Sequence, residues 1–301
     1  MAAAATRARV LRSVASVIVV AGFPAWCALP AVGSVLEPPD YVWLDVDDQP
    51  LPFQDKTTIT AALRTATVAD KEVMERGIAK NLKLVLELDG VRFKAVQRVI
   101  NVEVREKTGS LRIVSKYRDT HIFELAAYEL SELLGIGRVP PTVRRSIDGQ
   151  DGTVQIWMER TVPEDIMLEE GRLKPPNREF WWRQKAVMWV FDALIANTDR
   201  NQGNLLIDED WNLWFIDHTR AFRETSVLFG SDELEHCERS LWATLLETPD
   251  EAIEDRLGPY LTSKEMSRLL LRRAKLVKLF QKRIKKHGEA EVLFDLGAPL
   301  N

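Results

Sequence analysis

Cysteine is scarce in this chain: two of its 301 residues, Cys27 and Cys237, carry a thiol. Cys27 lies in an N-terminal segment that we expect to be removed, which would leave one cysteine and no possible internal disulfide. A fold held together by disulfides is therefore excluded. We expect Cys237 to be an inert, partly buried thiol and not a nucleophile.

Net charge is small as well. The 41 Lys and Arg residues face 45 Asp and Glu residues, which gives a formal charge of −4. We therefore do not expect the protein to bind nucleic acid through bulk positive charge. The sequence shows no internal repeat or low-complexity segment, and 46% of its residues are hydrophobic. This content is enough for the core of one domain of this length, or of two small lobes.

The N-terminus has the pattern of a targeting segment. A basic stretch with three arginines precedes the apolar run of residues 14–21, and small residues follow at 31–34. We interpret residues 1–34 as a secretory signal peptide and expect the rest to be exported, to the periplasm, the secretory pathway or the cell exterior. An uncleaved membrane anchor is the alternative, although two prolines interrupt the segment.

The next part of the chain changes from loop signals to strand signals. Residues 35–57 contain four prolines, which predicts an extended, loop-like leader. Strands should dominate residues 58–99. Two segments, Leu82–Gly90 and Val91–Val99, alternate apolar and polar residues around an Asp-Gly turn and predict a hairpin. Lys94 in the second strand is either an ordinary solvent-facing lysine or one that binds nucleotide phosphates.

A helix is predicted from Thr120, as its cap, to Gly135, as its end. Glu124 falls in its first turns, where it would pair with a phosphate-binding lysine on the preceding strand. Glu129 and Glu132 are competing acids on the same helix. For all three, the alternative is an ordinary solvated position.

A second hairpin is predicted between Arg138 and Arg160. Its last strand ends at Glu159, where a chain that passes between two lobes would offer backbone groups to an adenine. The next helix, Arg178 to Ala196, is apolar nearly all round and should be buried centrally. Its tryptophans favour core packing over a carbohydrate-binding platform.

Three polar residues follow this helix at the spacing that phosphoryl transfer requires. Asp199 lies in the loop, Asn204 follows five positions later, and Asp217 closes the second of two short apolar strands. One carboxylate would orient an attacking hydroxyl, while an amide oxygen and the second carboxylate would hold magnesium against nucleotide phosphates. Asp and Asn are also ordinary turn residues, which is the alternative for the bare spacing.

These motifs together resemble the atypical protein-kinase-like superfamily, which includes HipA-type kinases and phosphoinositide 3/4-kinases. The resemblance is strongest to its secretory-pathway kinases, the Golgi casein kinase and the xylosylkinase. DRNQGNLL is similar to the phosphoinositide-kinase catalytic loop. The segments that carry the resemblance cover roughly residues 58–222 and are VRFKAV, FELAAYELSELLGIGRVPPTV, QIWME, DRNQGNLL and FIDHTRAF.

The resemblance implies roles in the N-terminal half for the residues that match. Lys94 would bind nucleotide phosphates and pair with Glu124, and Glu159 would lie at the hinge between the lobes. The cofactors would be ATP with Mg²⁺ or Mn²⁺.

In the catalytic segments the resemblance makes Asp199 the catalytic acid or base, and Asn204 and Asp217 the metal ligands. The chain departs from the family pattern in several places. Gly77–Asn81 stands where a G-x-G-x-x-G loop would lie, His-Arg-Asp is missing, and Phe-Gly does not follow Asp217. The cysteines for the usual disulfides of animal secretory kinases are also missing. The substrate and the branch of the family are therefore left open.

The last long helix is predicted from a capping box. Thr262 and Glu265 form the box, and the helix should end near His287. Its predicted apolar face consists of Met266, Leu270, Ala274, Val277, Phe280 and Ile284. Basic residues cover the rest, which indicates a solvated face or, alternatively, peripheral contact with acidic lipid or a phosphorylated substrate.

The sequence thus predicts an α+β, two-lobed, protein-kinase-like fold, with a β-rich N-lobe (58–160) and a helical C-lobe (161–301). The predicted function is that of an exported kinase that transfers the γ-phosphoryl group of ATP to a hydroxyl on a protein, sugar or lipid. A pseudokinase that binds nucleotide or acts as a scaffold is the alternative. An exported adhesion or carbohydrate-binding domain is a third hypothesis, and only the tryptophans favour it.

Overall fold

The computed structural model describes residues 36, 38, 41–74, 81–108 and 113–297. The predicted signal peptide and most of the predicted Gly77–Asn81 loop lie outside the described residues. The strands are β1 (Thr67–Val73), β2 (Leu82–Leu88), β3 (Val91–Arg98), β4 (Asn101–Thr108), β5 (Ile113–Thr120), β6 (Thr142–Arg144), β7 (Thr153–Ile156), β8 (Val162–Pro163), β9 (Leu205–Ile207), β10 (Leu213–Phe215), β11 (Cys237–Glu238) and β12 (Leu293–Phe294). The helices are α1 (Lys56–Thr65), α2 (Ile122–Leu133), α3 (Glu164–Glu169), α4 (Arg178–Ile195), α5 (Arg239–Glu247), α6 (Asp250–Leu257), α7 (Ser263–His287) and α8 (Glu289–Val292).

The N-lobe is built on an antiparallel sheet of five strands in the order β1-β2-β3-β7-β6. The predicted β2–β3 hairpin is present. Its turn residues, Asp89 and Gly90, have φ values of 50° and 80°, as a two-residue turn between twisted strands requires. The predicted second hairpin is present as β6 and β7.

The prediction of strands from residue 58 was wrong for its first eight residues, because α1 occupies Lys56–Thr65. Asp55 caps this helix and accepts a hydrogen bond from the Thr58 backbone nitrogen at 2.8 Å. The threonines of α1 favour strands locally. Burial of Ile59 and Leu63 in the same core as Phe93 of the sheet overrides that preference.

A β4–β5 hairpin lies between the N-lobe sheet and α2, and the sequence did not predict it. The two strands pair antiparallel from Asn101↔Thr120 to Thr108↔Ile113. The predicted Thr120 cap of α2 is present: His121 already has helical dihedral angles, and the Ile122 backbone nitrogen donates to Thr120 Oγ1 at 3.4 Å. The Thr120 backbone nitrogen donates to the Thr219 carbonyl at 2.9 Å, which connects the hairpin to the segment after Asp217.

The C-lobe is organised around α4, which is buried as predicted. Asn177 caps its start and accepts from the Phe180 backbone nitrogen at 3.0 Å. A three-stranded sheet, β10-β9-β8, lies beside it. Since β8 comes directly after the segment that leaves β7, the chain crosses between the lobes at residues 157–161.

The predicted capping box of α7 is present at Thr262 and Glu265. Its predicted apolar face is confirmed at Met266 and Phe280, which are buried, but Ala274 is exposed. The structure also buries Leu269, Arg272 and Leu276, so the buried face is rotated from the predicted one. Burial of Arg272 explains the difference. Its guanidinium donates to the carbonyl of Leu194 at 2.7 Å and to that of Arg223 at 3.0 Å, so that it joins α7 to two C-lobe segments.

The leader between residues 41 and 55 contacts both lobes. Tyr41 packs edge-to-face on Trp43 and on Trp214, with centroid distances of 4.8 and 5.0 Å. Its hydroxyl donates to the Glu159 carbonyl at 2.9 Å. The leader is therefore packed against the hinge and is more than an extended linker. No helix within the described ranges is long and apolar enough to cross a membrane.

Candidate active site

The loop after α4 fixes Asp199 and Asn204 relative to each other. The helix ends at Ala196, which adopts a left-handed conformation with φ of 51°. The Asp199 backbone nitrogen donates to Asn197 Oδ1 at 3.2 Å, and Asn204 Nδ2 donates to the Asp199 carbonyl at 3.2 Å. Because the amide nitrogen of Asn204 is used in this way, its Oδ1 atom is left available as a ligand.

Asp217 is brought to the same place by the β9–β10 pair. The backbone nitrogen of Ile216 donates to the Asn204 carbonyl at 3.2 Å, so the residue before Asp217 is bonded to Asn204. Asp217 has φ of 60°, an uncommon backbone conformation outside glycine. Burial and the nearby Glu124 carboxylate raise the pKa of Asp217, and Arg98 opposes them in part. The site thus contains a buried acid that no ion pair neutralises among the described residues.

Arg200 connects the segments that form the candidate site. Its Nε and Nη2 atoms donate to the two carboxylate oxygens of Asp192 at 2.9 and 3.0 Å. Its Nη1 atom donates to the carbonyls of Asn204 and Ile216 at 2.7 Å each. One arginine therefore connects the end of α4, the Asp199 loop and the strand that leads to Asp217.

Glu124 does not pair with Lys94, and that prediction was wrong. Glu124 is fully buried; the His218 backbone nitrogen donates to its Oε1 at 2.8 Å, and Arg98 Nε lies 3.5 Å from the same oxygen. Lys94 Nζ lies 2.8 Å from Glu159 Oε1 instead. Successive residues of a strand alternate sides, so Lys94 and Arg98 share one face of β3, and Arg98 is the cation at the α2 end.

His218 joins these two networks. Its Nδ1 atom lies 3.2 Å from Glu124 Oε2, and its Nε2 atom lies 3.0 Å from Arg200 Nη2. An arginine can only donate, so Nε2 is the acceptor and the ring proton is on Nδ1, where it is donated to Glu124. The competing acids are used elsewhere: Glu129 pairs with Arg256, and Glu132 pairs with Lys56.

Glu124→Gln should lower the free energy of unfolding by about 3 kcal/mol at neutral pH. Burial alone raises the pKa of Glu124, but Arg98 and the hydrogen bonds from His218 outweigh burial and lower it from 4.5 to about 2. A carboxylate with a lowered pKa stabilises the fold above its unfolded pKa, and this contribution is lost as pH falls. The difference between the wild type and the variant should therefore shrink between pH 4.5 and about 2.

Urea unfolding across this pH range measures the effect. Glu129→Gln is the matched control on the same helix, because its partner Arg256 is 49% exposed and such a pair contributes at most about 1 kcal/mol. A Glu124→Gln effect that does not change with pH would contradict the ionised, paired state of Glu124.

The donor set fits a divalent cation that completes its coordination with phosphate and water. Among the described residues, no group of three or more His, Cys, Asp or Glu side chains could hold a metal ion alone. Asn204 Oδ1 and the Asp217 carboxylate are oxygen ligands of the type that Mg²⁺ and Mn²⁺ prefer. Magnesium typically takes only one or two carboxylates from the protein and the rest from substrate phosphates.

Comparisons with known proteins bear on the fold. No known family profile matches the chain, and no curated protein sequence matches it. A structure of hydra Fam20 with sugar is similar, with a TM-score of 0.59, 17% identity, and coverage of 79% of this chain and 92% of that one. A Golgi casein kinase structure has a TM-score of 0.57, 17% identity, and coverage of 79% of each chain. A Golgi casein kinase structure with Mn/ADP bound has a TM-score of 0.55 at 17% identity, covering 79% of this chain and 78% of that one.

The chain has the fold of the secretory-pathway kinases. This confirms the predicted two-lobed, kinase-like architecture. The likeness of the catalytic loop to HipA-type and phosphoinositide kinases stays a prediction. Sequence reasoning missed Arg98, Arg200 and His218. The alternation of β3 was the one signal that pointed to Arg98, because it places that residue on the Lys94 face.

Proposed function

We propose that this chain is a metal-dependent phosphotransferase that transfers the γ-phosphoryl group of ATP to a hydroxyl. The observation that carries the proposal is the convergence of Asp199, Asn204 and Asp217 in a kinase-like fold. Asn204 is bonded to Asp199 through its nitrogen and keeps its oxygen available, while Asp217 is a buried acid that forms no ion pair among the described residues.

The proposed reaction assigns one task to each group. Asn204 and Asp217 would hold Mg²⁺ or Mn²⁺, which supplies positive charge at the nucleotide phosphates. Asp199 orients the acceptor hydroxyl and accepts its proton as the hydroxyl oxygen bonds to the γ-phosphorus. The bond between that phosphorus and the bridging oxygen breaks, and ADP leaves. The side chain of Asp199 is 42% exposed, as a group that meets an incoming acceptor must be.

Arg98 is the proposed phosphate-binding cation. Its Nε atom lies 3.5 Å from Glu124 Oε1, and its charge opposes the rise in the pKa of Asp217. Lys94 pairs with Glu159 at the hinge end of the same strand face and so lies nearer the expected adenine position. Glu124 has no exposed surface and would act by holding Arg98 and His218.

Arg98→Met should weaken the binding of Mg-ADP by about 10–100-fold, the scale of one hydrogen bond to a charged group. Lys94→Met should weaken it by a smaller factor. Isothermal titration calorimetry measures both, with Arg98→Lys as a variant that keeps the buried charge and Arg144→Met as a control. Arg144 is exposed, and its partner among the described residues is Asp151. If Lys94→Met abolishes binding and Arg98→Met does not, Lys94 is the phosphate-binding residue.

The proposed activity is tested by incubating the chain with ATP carrying an isotopic label in the γ-phosphoryl group. Protein, sugar and lipid acceptors, and the chain itself, are then examined by mass spectrometry with Mg²⁺ or Mn²⁺ present. We expect metal-dependent label transfer to at least one hydroxyl. Metal-dependent nucleotide binding without any transfer would favour the pseudokinase alternative.

Export is a further part of the proposal. It rests on the basic, apolar and small residues of positions 1–34, which lie outside the described residues. We expect the mature chain to begin near Ser34 or Val35. N-terminal sequencing of the natural product tests this, and a cytoplasmic form with residues 1–30 intact would contradict it. Contact of the basic α7 helix with acidic lipid stays a prediction.

A further inference from the structure

Arg220 lies beside the proposed catalytic acid and is held by a second acid. Its Nε atom donates to Asp119 Oδ2 at 2.7 Å, and its Nη1 atom donates to Asp199 Oδ2 at 3.3 Å. Asp119 is buried, with 2% of its surface exposed, and it projects from the end of β5. The β4–β5 hairpin therefore reaches the active site through this residue.

The two bonds differ in a way that indicates which acid anchors the arginine. The bond to Asp119 is short, and that hydrogen bond is the largest cause that raises the pKa of Arg220. The contact with Asp199 is longer and joins two side chains that are partly open to solvent, 29% and 42% exposed. Asp119 thus holds the guanidinium in place. The contact with Asp199 is weaker and does not occupy all the hydrogen-bond donors of the guanidinium.

Arg220 has one guanidinium nitrogen that the described protein atoms do not use. Its Nη2 atom has no hydrogen-bond partner in the part of the chain that the structure describes. Arg200, by contrast, uses all three of its guanidinium nitrogens on protein atoms. Arg118 is also committed, because its Nε and Nη2 atoms donate to both carboxylate oxygens of Glu265. Of these three arginines, Arg220 is the one that contacts Asp199, and it keeps a guanidinium nitrogen that no described residue uses.

The geometry points to Arg220 as the residue that binds the transferring phosphoryl group beside Asp199, with Asp119 as the positioning residue that holds it there. This inference rests on the proposed function. A planar guanidinium can donate two parallel hydrogen bonds to phosphoryl oxygens. Negative charge is spread over those oxygens in the transition state, so a cation fixed in advance stabilises it without reorganising. Asp199 would then orient the hydroxyl on one side, and Arg220 would contact the group that the hydroxyl attacks.

The experiment compares the binding of Mg-ADP alone with that of Mg-ADP plus aluminium fluoride, a planar mimic of the transferring phosphoryl group. In the wild type the fluoride should tighten ADP binding. In Arg220→Met, Mg-ADP alone should bind as in the wild type, but the tightening should be lost. The turnover number should fall by about 10²–10³-fold, with little change in the KM for ATP.

Two further variants and a control separate phosphoryl contact from folding. Arg220→Lys keeps the charge and should restore part of the tightening. Asp119→Asn should show the same signature as Arg220→Met, but to a smaller extent. Arg144→Met removes one arginine at an exposed pair with Asp151 and should leave both readouts unchanged.

The outcomes distinguish this inference from the proposed function. A wild type that neither binds Mg-ADP nor transfers phosphate would overturn the proposed function itself. A wild type that does both, together with an Arg220→Met variant that keeps full fluoride-dependent tightening, would overturn only the role of Arg220. In that case Arg220 would do no more than orient Asp199.

Discussion

Asp199→Asn should lower turnover by about 10²–10⁴-fold while leaving the binding of metal and nucleotide intact. The substitution keeps the size and shape of the side chain and removes the carboxylate that accepts the proton. The Asp199 carbonyl still accepts from Asn204 Nδ2, so the loop should keep its conformation. Single-turnover kinetics and calorimetry of Mg-ADP binding, run on the same preparations, measure the two effects separately.

Asp210→Asn is the matched control for this experiment. Asp210 is exposed in the β9–β10 turn of the same lobe, and it should tolerate the same chemical change without loss of activity. If Asp199→Asn is as active as the wild type, the assignment of the loop is wrong, even if the protein proves to be a kinase.

Asp217→Asn should abolish the metal-dependent part of nucleotide binding, and activity with it. A hard divalent cation prefers carboxylate oxygen, and Asn204 alone offers a neutral ligand. Asparagine also tolerates the left-handed backbone conformation, so the positive φ of 60° at this position should be kept. Titration with ADP, with and without Mg²⁺, should give the same affinity for the variant and different affinities for the wild type.

The stability of Asp217→Asn without metal provides a second readout. Burial and Glu124 raise the pKa of Asp217, which means that its charged form is disfavoured in the folded chain. Removing the charge should therefore not lower the free energy of unfolding, in contrast to Glu124→Gln. A variant that unfolds more easily would contradict the unfavourable burial of this carboxylate, and a variant that keeps its response to Mg²⁺ would contradict the role of Asp217 as a metal ligand.

Local signals were sufficient for much of the fold. Three features that depend on neighbouring residues were predicted. They are the apolar surface of α4, the Asp-Gly turn between β2 and β3, and the capping box at Thr262. The segment of α1 was not predicted, because its threonines favour strands while Asp55 and the sheet packing favour a helix. The rotated face of α7 has a similar origin: burial of Arg272 depends on carbonyls that lie 78 and 49 positions away in the sequence.

The candidate site shows the same difference between features set by neighbouring residues and features set by distant ones. The spacing within one loop and one strand end was enough to select Asp199, Asn204 and Asp217 as candidates. Which cation reaches Glu124 depends on how β3 meets α2, and the sequence offers Lys94 and Arg98 on one strand face. Arg220 was not selected, because its partner Asp119 lies on a hairpin, 101 positions away, that the sequence did not predict.

The central claim is that Asn204 and Asp217 hold the metal at the nucleotide phosphates while Asp199 faces the acceptor. A crystal structure of the chain with Mn²⁺ and ADP, with the manganese located by its anomalous scattering, tests this most directly. We expect a manganese ion bonded to Asn204 Oδ1, to the Asp217 carboxylate and to ADP phosphate, with Asp199 outside its coordination sphere. Manganese and ADP bound elsewhere, or an ion at this site that does not contact Asp217, would contradict the account.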